Sequence, residues 1–178
     1  MSNADIVFTV SAPDRPGIVK ALSDLVLMQG GSWLESSLTR LCGEFTGIVH
    51  VRIPEANRRQ LLLQLADCEA QGISVTIRDA RWQENTRHGE AGTQLRVLVE
   101  ANDREGIVDE IAGALAARQI NVEKLTSSCE SASMAGYPLF RANIKVRLPH
   151  DIDARQLESI LESVSDDLMV TIKPDASD

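Results

Sequence analysis

Ser11 to Val19 reads SAPDRPGIV, and Glu100 to Val108 reads EANDREGIV. Of the ten positions from Val10 to Val19, seven are identical to their partners 89 residues further on. A match this dense marks an internal repeat. An enzyme ordinarily needs one active site, so a turn that occurs twice speaks first of duplicated structure and of binding. The repeat continues downstream, where VRIP at Val51–Pro54 is answered by VRLP at Val146–Pro149, and Val75–Ile77 by Val170–Ile172. The offset there is 95, so the second copy carries six extra residues. They fall most economically around CESASMAGYP, Cys129–Pro138, whose small residues, Gly and Pro have loop composition.

Periodicity assigns the elements within each copy. Ile6, Phe8, Val10 and Ala12 alternate along one face of a strand, as do Leu95, Val97, Val99 and Ala101. After the turn, Ile18, Leu22, Leu25 and Val26 recur at helical spacing, matched by Ile107, Ile111, Ala114 and Leu115. Two strands follow, near 32–41 and 45–53. In the second of them Gly47, Val49, Val51 and Ile53 oppose Thr46, Ile48, His50 and Arg52. Arg141, Asn143, Lys145 and Arg147 form the same polar outer face in the second copy. Leu61, Leu65 and Cys68, answered by Leu157, Leu161 and Val164, predict a second helix, and a short strand ends each copy. The order β-α-β-β-α-β predicts an α+β protein of two ferredoxin-like domains in tandem, each an antiparallel sheet with both helices on one face.

The predicted boundaries are a first domain over 1–80, a linker over 81–92 and a second domain over 93–178. RWQENTRHGEAG, Arg81–Gly92, is polar and aperiodic, and its Trp82 is expected to pack on a neighbouring domain. Domains of this size bury modest cores and leave sheet edges open, so pairing with a partner surface, as in a homodimer, would add burial.

The Asp-Arg-x-Gly segment joins the first strand to the first helix, where unpaired amide N–H groups and the positive end of the helix dipole meet. Gly17 and Gly106 remove the side chain that would block close approach. Such a place suits a carboxylate-sized anion, with Asp14 or Asp103 accepting from a ligand ammonium. The competing reading makes Asp a helix cap, Pro16 a first-turn residue and Gly a bend. Arg15 and Arg104 either clamp a carboxylate or extend into solvent. Ser32 and Asn121 open the next strand and are placed by this reading near the same turn, as ligand contacts or as caps on the end of the first helix.

Composition narrows the function classes. The chain has 178 residues, 18 Lys and Arg against 26 Asp and Glu, a net charge of -8, and only 3% aromatic residues. No basic run tracks a phosphate backbone and stacking platforms are scarce, which disfavours direct nucleic-acid binding. Arg141, Lys145 and Arg147 are the only hint of an RNA-facing sheet. No stretch is long and apolar enough for a membrane span and no leader pattern opens the chain, so a cytoplasmic protein is expected. Cys42, Cys68 and Cys129 lack the spacing of a zinc site and read as reduced thiols, with Cys68 in the core. His50, His88 and His150 have no partner spacing for a metal or a triad. The expectation is no enzyme, no catalytic residue, no metal and no cofactor.

DRPGIV after a strand, within a duplicated β-α-β-β-α-β order, resembles the ACT domain family, and within it the tandem ACT proteins of the glycine cleavage repressor type. The resemblance covers nearly the whole chain. It implies a regulatory domain that binds a small amino acid, with glycine the suspected ligand, at domain interfaces near the first strand-helix loop. It implies in turn a protein partner such as a transcriptional activator, and transcriptional regulation through protein contacts without direct DNA binding. The alternative in the same family is an amino-acid-binding regulatory subunit of a metabolic enzyme. Carried over by position, the ligand residues are Pro13, Asp14, Arg15, Pro16, Gly17, Ile18 and Ser32 in the first copy. In the second they are Asn102, Asp103, Arg104, Glu105, Gly106, Ile107 and Asn121. Glu105 stands where the first copy has Pro16. A carboxylate at a helix start competes with a ligand anion for the dipole, so the first copy is expected to be the better anion site.

Overall fold

Alternating apolar residues and two short amphipathic helices per copy produce two separate four-stranded sheets. The computed structural model describes residues 2–78, 92–131 and 138–175. The chain divides into two compact units, Met1–Asn85 and Thr86–Asp178. The linker expected at 81–92, with Trp82 and His88, lies outside the described residues except for Gly92. So does the middle of the expected loop at Cys129–Pro138.

The first unit runs β1 (Asn3–Pro13), α1 (Ile18–Met28), β2 (Ser32–Leu41), β3 (Glu44–Pro54), α2 (Arg58–Asp67) and β4 (Ser74–Arg78). The second runs β5 (Thr93–Asn102), α3 (Ile107–Ala116), β6 (Asn121–Ser131), β7 (Pro138–Leu148), α4 (Ala154–Glu162) and β8 (Met169–Pro174). Sheet orders are β2-β3-β1-β4 and β6-β7-β5-β8, antiparallel throughout. This is the expected α+β ferredoxin-like arrangement, made twice. Short 3-10 turns flank α2, at Glu55–Asn57 and Cys68–Gln71, which periodicity had not separated from the helix.

Each unit has its own core. In the first, Ile6, Phe8 and Val10 of β1 and Val49, Val51 and Ile53 of β3 pack under Ile18, Leu22, Leu61 and Leu65 of the helices. In the second, Val97, Ile144 and Val146 lie under Ile107, Ile111, Leu115, Leu157 and Leu161. No buried polar or charged residue occurs among the described residues, so the cores are held by apolar burial alone. Both helices take one face, leaving the residues of opposite parity on β1, β3, β5 and β7 on an open face.

The first strand and first helix of each unit run in opposite directions, which separates the ends of the sheet. Ser32 lies opposite Arg52, and Arg52 opposite Asp5, near the start of β1. Asn121 lies opposite Arg147, and Arg147 opposite Gln94, near the start of β5. The strand-helix turns lie at the other ends of β1 and β5, about 26 Å away at roughly 3.3 Å per strand residue. Within its own unit neither Ser32 nor Asn121 is near the turn, so that part of the expectation is corrected. Neither caps the end of the first helix, where Gln29 and Ala117 stand.

Candidate functional site

In the first unit the turn after β1 is tied down on both sides. The Asp14 amide donates to Gly43 O at 2.8 Å, and Arg40 Nε donates to Asp14 Oδ2 at 2.6 Å. Both partners belong to the β2–β3 hairpin, so Asp14 is a fastening point and not a helix cap. Gly17 holds the cap position instead, at φ 96 and with no side-chain hydrogen bond to the helix. Only glycine adopts that backbone without strain. A Cβ there would meet nothing within 4 Å, so the space over the helix start is open. Ala21 N donates to Gly17 O at 2.9 Å as the first helical bond, which leaves the amides before it without intrahelical acceptors. The first turn of α1 holds no acidic residue to answer the dipole. Pro16 precedes the cap and is not in the helix, a second correction to the capping reading.

Arg15, an exposed residue, donates from Nη2 to Gln71 O at 2.5 Å. This bond closes one wall of a recess of about 190 Å3 lined by Arg15, Pro16, Gly17, Ile18, Ala21, Gln71 and Ile73. Four of the seven residues expected in the first copy, Arg15 to Ile18, are thus brought together. Pro13 and Asp14 face the hairpin, with Pro13 opposite Glu44, and Ser32 is at the far end of the sheet. Ala21, Gln71 and Ile73 were not anticipated. Ala21 was legible as the next helical residue on the same face as Gly17, whereas Gln71 reaches the turn only through folding.

The second unit repeats the backbone and changes the chemistry. Gly106 caps α3 at φ 84, and Asp103 N donates to Pro138 O at 2.9 Å. Asp103 Oδ1 accepts from Cys129 Sγ at 3.4 Å, and this bond raises the Cys129 thiol pKa above its ordinary value. Arg104 donates from Nη1 and Nη2 to Glu110 Oε1 and Oε2 at 2.8 and 2.6 Å, and its Nε lies 3.9 Å from Asp167 Oδ1. Glu110 Oε1 lies 3.9 Å from where a Cβ on Gly106 would be. The Arg104 hydrogen bonds hold the Glu110 carboxyl below the usual carboxylate range. By the repeat offsets, Glu110 corresponds to Ala21 and Asp167 to Gly72. Beside the expected Glu105, a second carboxylate thus stands at this turn, Glu110 from the first turn of α3. Asn102 lies opposite Leu139, at the hairpin side, and Ile107 is buried in the core.

Among the described residues, the other reactive side chains form no site of this kind. Cys42 and Cys129 are exposed free thiols, and burial pushes the Cys68 thiol pKa up. His50 Nε2 lies 3.7 Å from Asp5 Oδ2 on the open sheet face. Among the described residues no group of His, Cys, Asp and Glu could hold a metal ion, and no helix is long and apolar enough to cross a membrane.

Residues 4–78 match the family model for the ACT domain. No curated protein matches the chain. Among solved structures, an unknown protein from Galdieria sulphuraria is 23% identical over 97% of this chain and 99% of that one, with a TM-score of 0.82. A candidate glycine cleavage system transcriptional repressor is 19% identical over 97% of this chain and 98% of that one, with a TM-score of 0.70. At these identities the likeness is one of fold, and it extends over both units. The first unit thus matches the ACT domain family, and the second repeats the same ferredoxin-like fold.

Proposed function

We propose that this protein is a non-catalytic, amino-acid-responsive regulator, of the glycine cleavage transcriptional type, that acts through a protein partner and not by binding DNA. The observation that carries the reading is the contrast between the two turns. In the first unit an uncapped helix start, an open Gly17 and the Arg15 guanidinium surround a small recess. In the second the equivalent cation is already held by Glu110. The first turn is the ligand site, receiving the carboxylate of a small amino acid on the amides of α1 and on Arg15. The second turn is structural, its carboxylate supplied by the chain itself. Ligands of the size of glycine suit a recess of about 190 Å3. Of the carried-over residues, Arg15, Pro16, Gly17 and Ile18 form the site.

The test is thermal unfolding of the full chain against a panel of free amino acids, since a ligand that binds only the folded state raises Tm by mass action. A selective rise with glycine or another small amino acid is expected in the wild type and is expected to vanish in Ala21→Glu, which copies the second unit's carboxylate into the first. A panel that leaves Tm unchanged would overturn the reading, and so would a shift that survives in Ala21→Glu.

A further inference from the structure

Strand register on the second unit's open face brings four cations into one line. Lys124 lies opposite Lys145, Lys145 opposite Arg96, and Arg96 opposite Lys173, one residue from each strand. At about 4.8 Å between strands the row is roughly 14 Å long. Like charges directly opposite one another destabilise a sheet, so an uncompensated row of this kind is costly. The fold offsets the middle of it chiefly with Asp175, whose side chain is 3% exposed and accepts from Lys145 Nζ at 2.6 Å and Arg96 Nη2 at 3.0 Å, while Glu123 Oε2 lies further off, 3.8 Å from Lys145 Nζ. Lys124 and Lys173, at the ends, form no ion pair with another described residue.

The row is a property of this unit and not of the fold. The corresponding positions in the first unit are Glu35, His50, Val7 and Arg78. Between residues 92 and 175 the chain has 14 Asp and Glu against 9 Lys and Arg, yet only Arg104, Arg118 and Arg155 among those cations are off this face. Beside the row, toward the strand-helix turn, is a depression of about 560 Å3 that includes Leu98 and the exposed Met169.

We propose that this face docks an acidic amphipathic helix of a partner protein, its carboxylates along the row and an apolar side chain in the depression at Leu98 and Met169. The inference gives a chemistry to the protein partner of the regulatory reading and rests on that reading only for there being a partner. Spacing supports a helix laid across the strands, because successive turns rise about 5.4 Å, close to the strand separation. Charge complementarity supports carboxylates, since a carboxylate of the chain already occupies the centre. Lysines on edge strands also discourage edge pairing, which accounts for Lys124 and Lys173 but not for Arg96 and Lys145 on the inner strands. A nucleic acid fits less well. The described residues of this face include no aromatic for base stacking, and the flanking cations of β7 are held by carboxylates, Arg147 by Glu123 and Arg141 by Glu100 and Glu130.

The experiment is fluorescence anisotropy of the full chain with a labelled amphipathic peptide of Glu, Ala and Leu, in the absence of amino acids. Saturable, salt-sensitive binding is expected, weakened about tenfold or more by the pair Lys124→Glu and Lys173→Glu and unchanged by Arg78→Glu. Neither reversed lysine has an ion pair to lose, so folding is expected to survive, as checked by circular dichroism. Asp175→Asn is expected to tighten binding several-fold by removing the internal competitor. Absence of saturable binding, or equal binding by the reversed variant, would overturn the proposal. Binding of labelled homopolymer RNA in place of the peptide, with the same variant dependence, would overturn it in favour of a nucleic acid. The glycine response is read on Ala21→Glu, which leaves the row intact, so the two readings fail separately.

Discussion

Arg104 grips both carboxylate oxygens of Glu110, at 2.8 and 2.6 Å, directly over the glycine that opens α3. The equivalent glycine of the first unit has nothing over it. Two copies of one turn thus differ in whether the chain places a carboxylate over the helix start. Glu110→Ala should free Arg104 and the helix start and make the second unit responsive to small carboxylates. Calorimetric titration with glycine and with acetate would show a new, weak binding event in the variant. A titration identical to wild type would mean that the second turn cannot be opened this way.

The same pair has a consequence in acid. Arg104 holds the Glu110 pKa below its ordinary value, and Lys145, followed by Arg96, does the same for Asp175. A carboxyl depressed in the folded state adds stability above its unfolded pKa, and that stability is lost as pH falls through the folded value. Stability of the second unit is therefore expected to be level near neutrality and to decline once pH drops below the ordinary carboxylate range, about 4. Glu110 is exposed, so solvent screening keeps its share of the effect small. Glu110→Gln and Asp175→Asn should each flatten the decline in denaturant midpoint; an unchanged slope in both would remove these pairs from the account.

Asp153 begins α4 with a reciprocal cap, accepting from Gln156 N at 2.8 Å while its own amide donates to Gln156 Oε1 at 2.8 Å. Replacement of such a cap by Ala costs about 1 kcal/mol. Asp153→Ala should lower stability by that order, and Asp153→Ser should recover most of it. Urea unfolding of the three proteins makes the comparison.

Gly47 of β3 is required by space. A Cβ there would lie 2.0 Å from Ser37 O and 2.8 Å from Leu38 Cα, both backbone atoms of the neighbouring strand. The strand cannot yield without breaking the β2–β3 ladder, so Gly47→Ala should destabilise the first unit by about 2 kcal/mol or more. A variant as stable as wild type would show that the hairpin shifts freely. By contrast Phe8→Ala, at a fully buried position in β1, should cost about 3–5 kcal/mol through cavity formation alone.

Much of this protein is local in its sequence. Alternation at Ile6, Phe8 and Val10, helical spacing at Ile18 and Leu22, and an identical turn in both copies determine the βαββαβ order, the core-facing residues and the left-handed glycines at the helix starts. These follow from side-chain period and backbone sterics, which act over a few residues. The Asp153–Gln156 cap was equally local, a spacing of three before an apolar face. What the turns do was decided by tertiary structure. Antiparallel packing of helix on strand sends Ser32 and Asn121 to the far end of the sheet, and the β2–β3 hairpin brings Arg40 to Asp14. A single difference in the first helical turn, Ala21 against Glu110, sets whether a carboxylate of the chain lies over the helix start. The row of Lys124, Lys145, Arg96 and Lys173 depends on register across four strands, with a bulge between Val122 and Lys124. Register is a long-range property, because a slip of one residue moves every side chain to the opposite face.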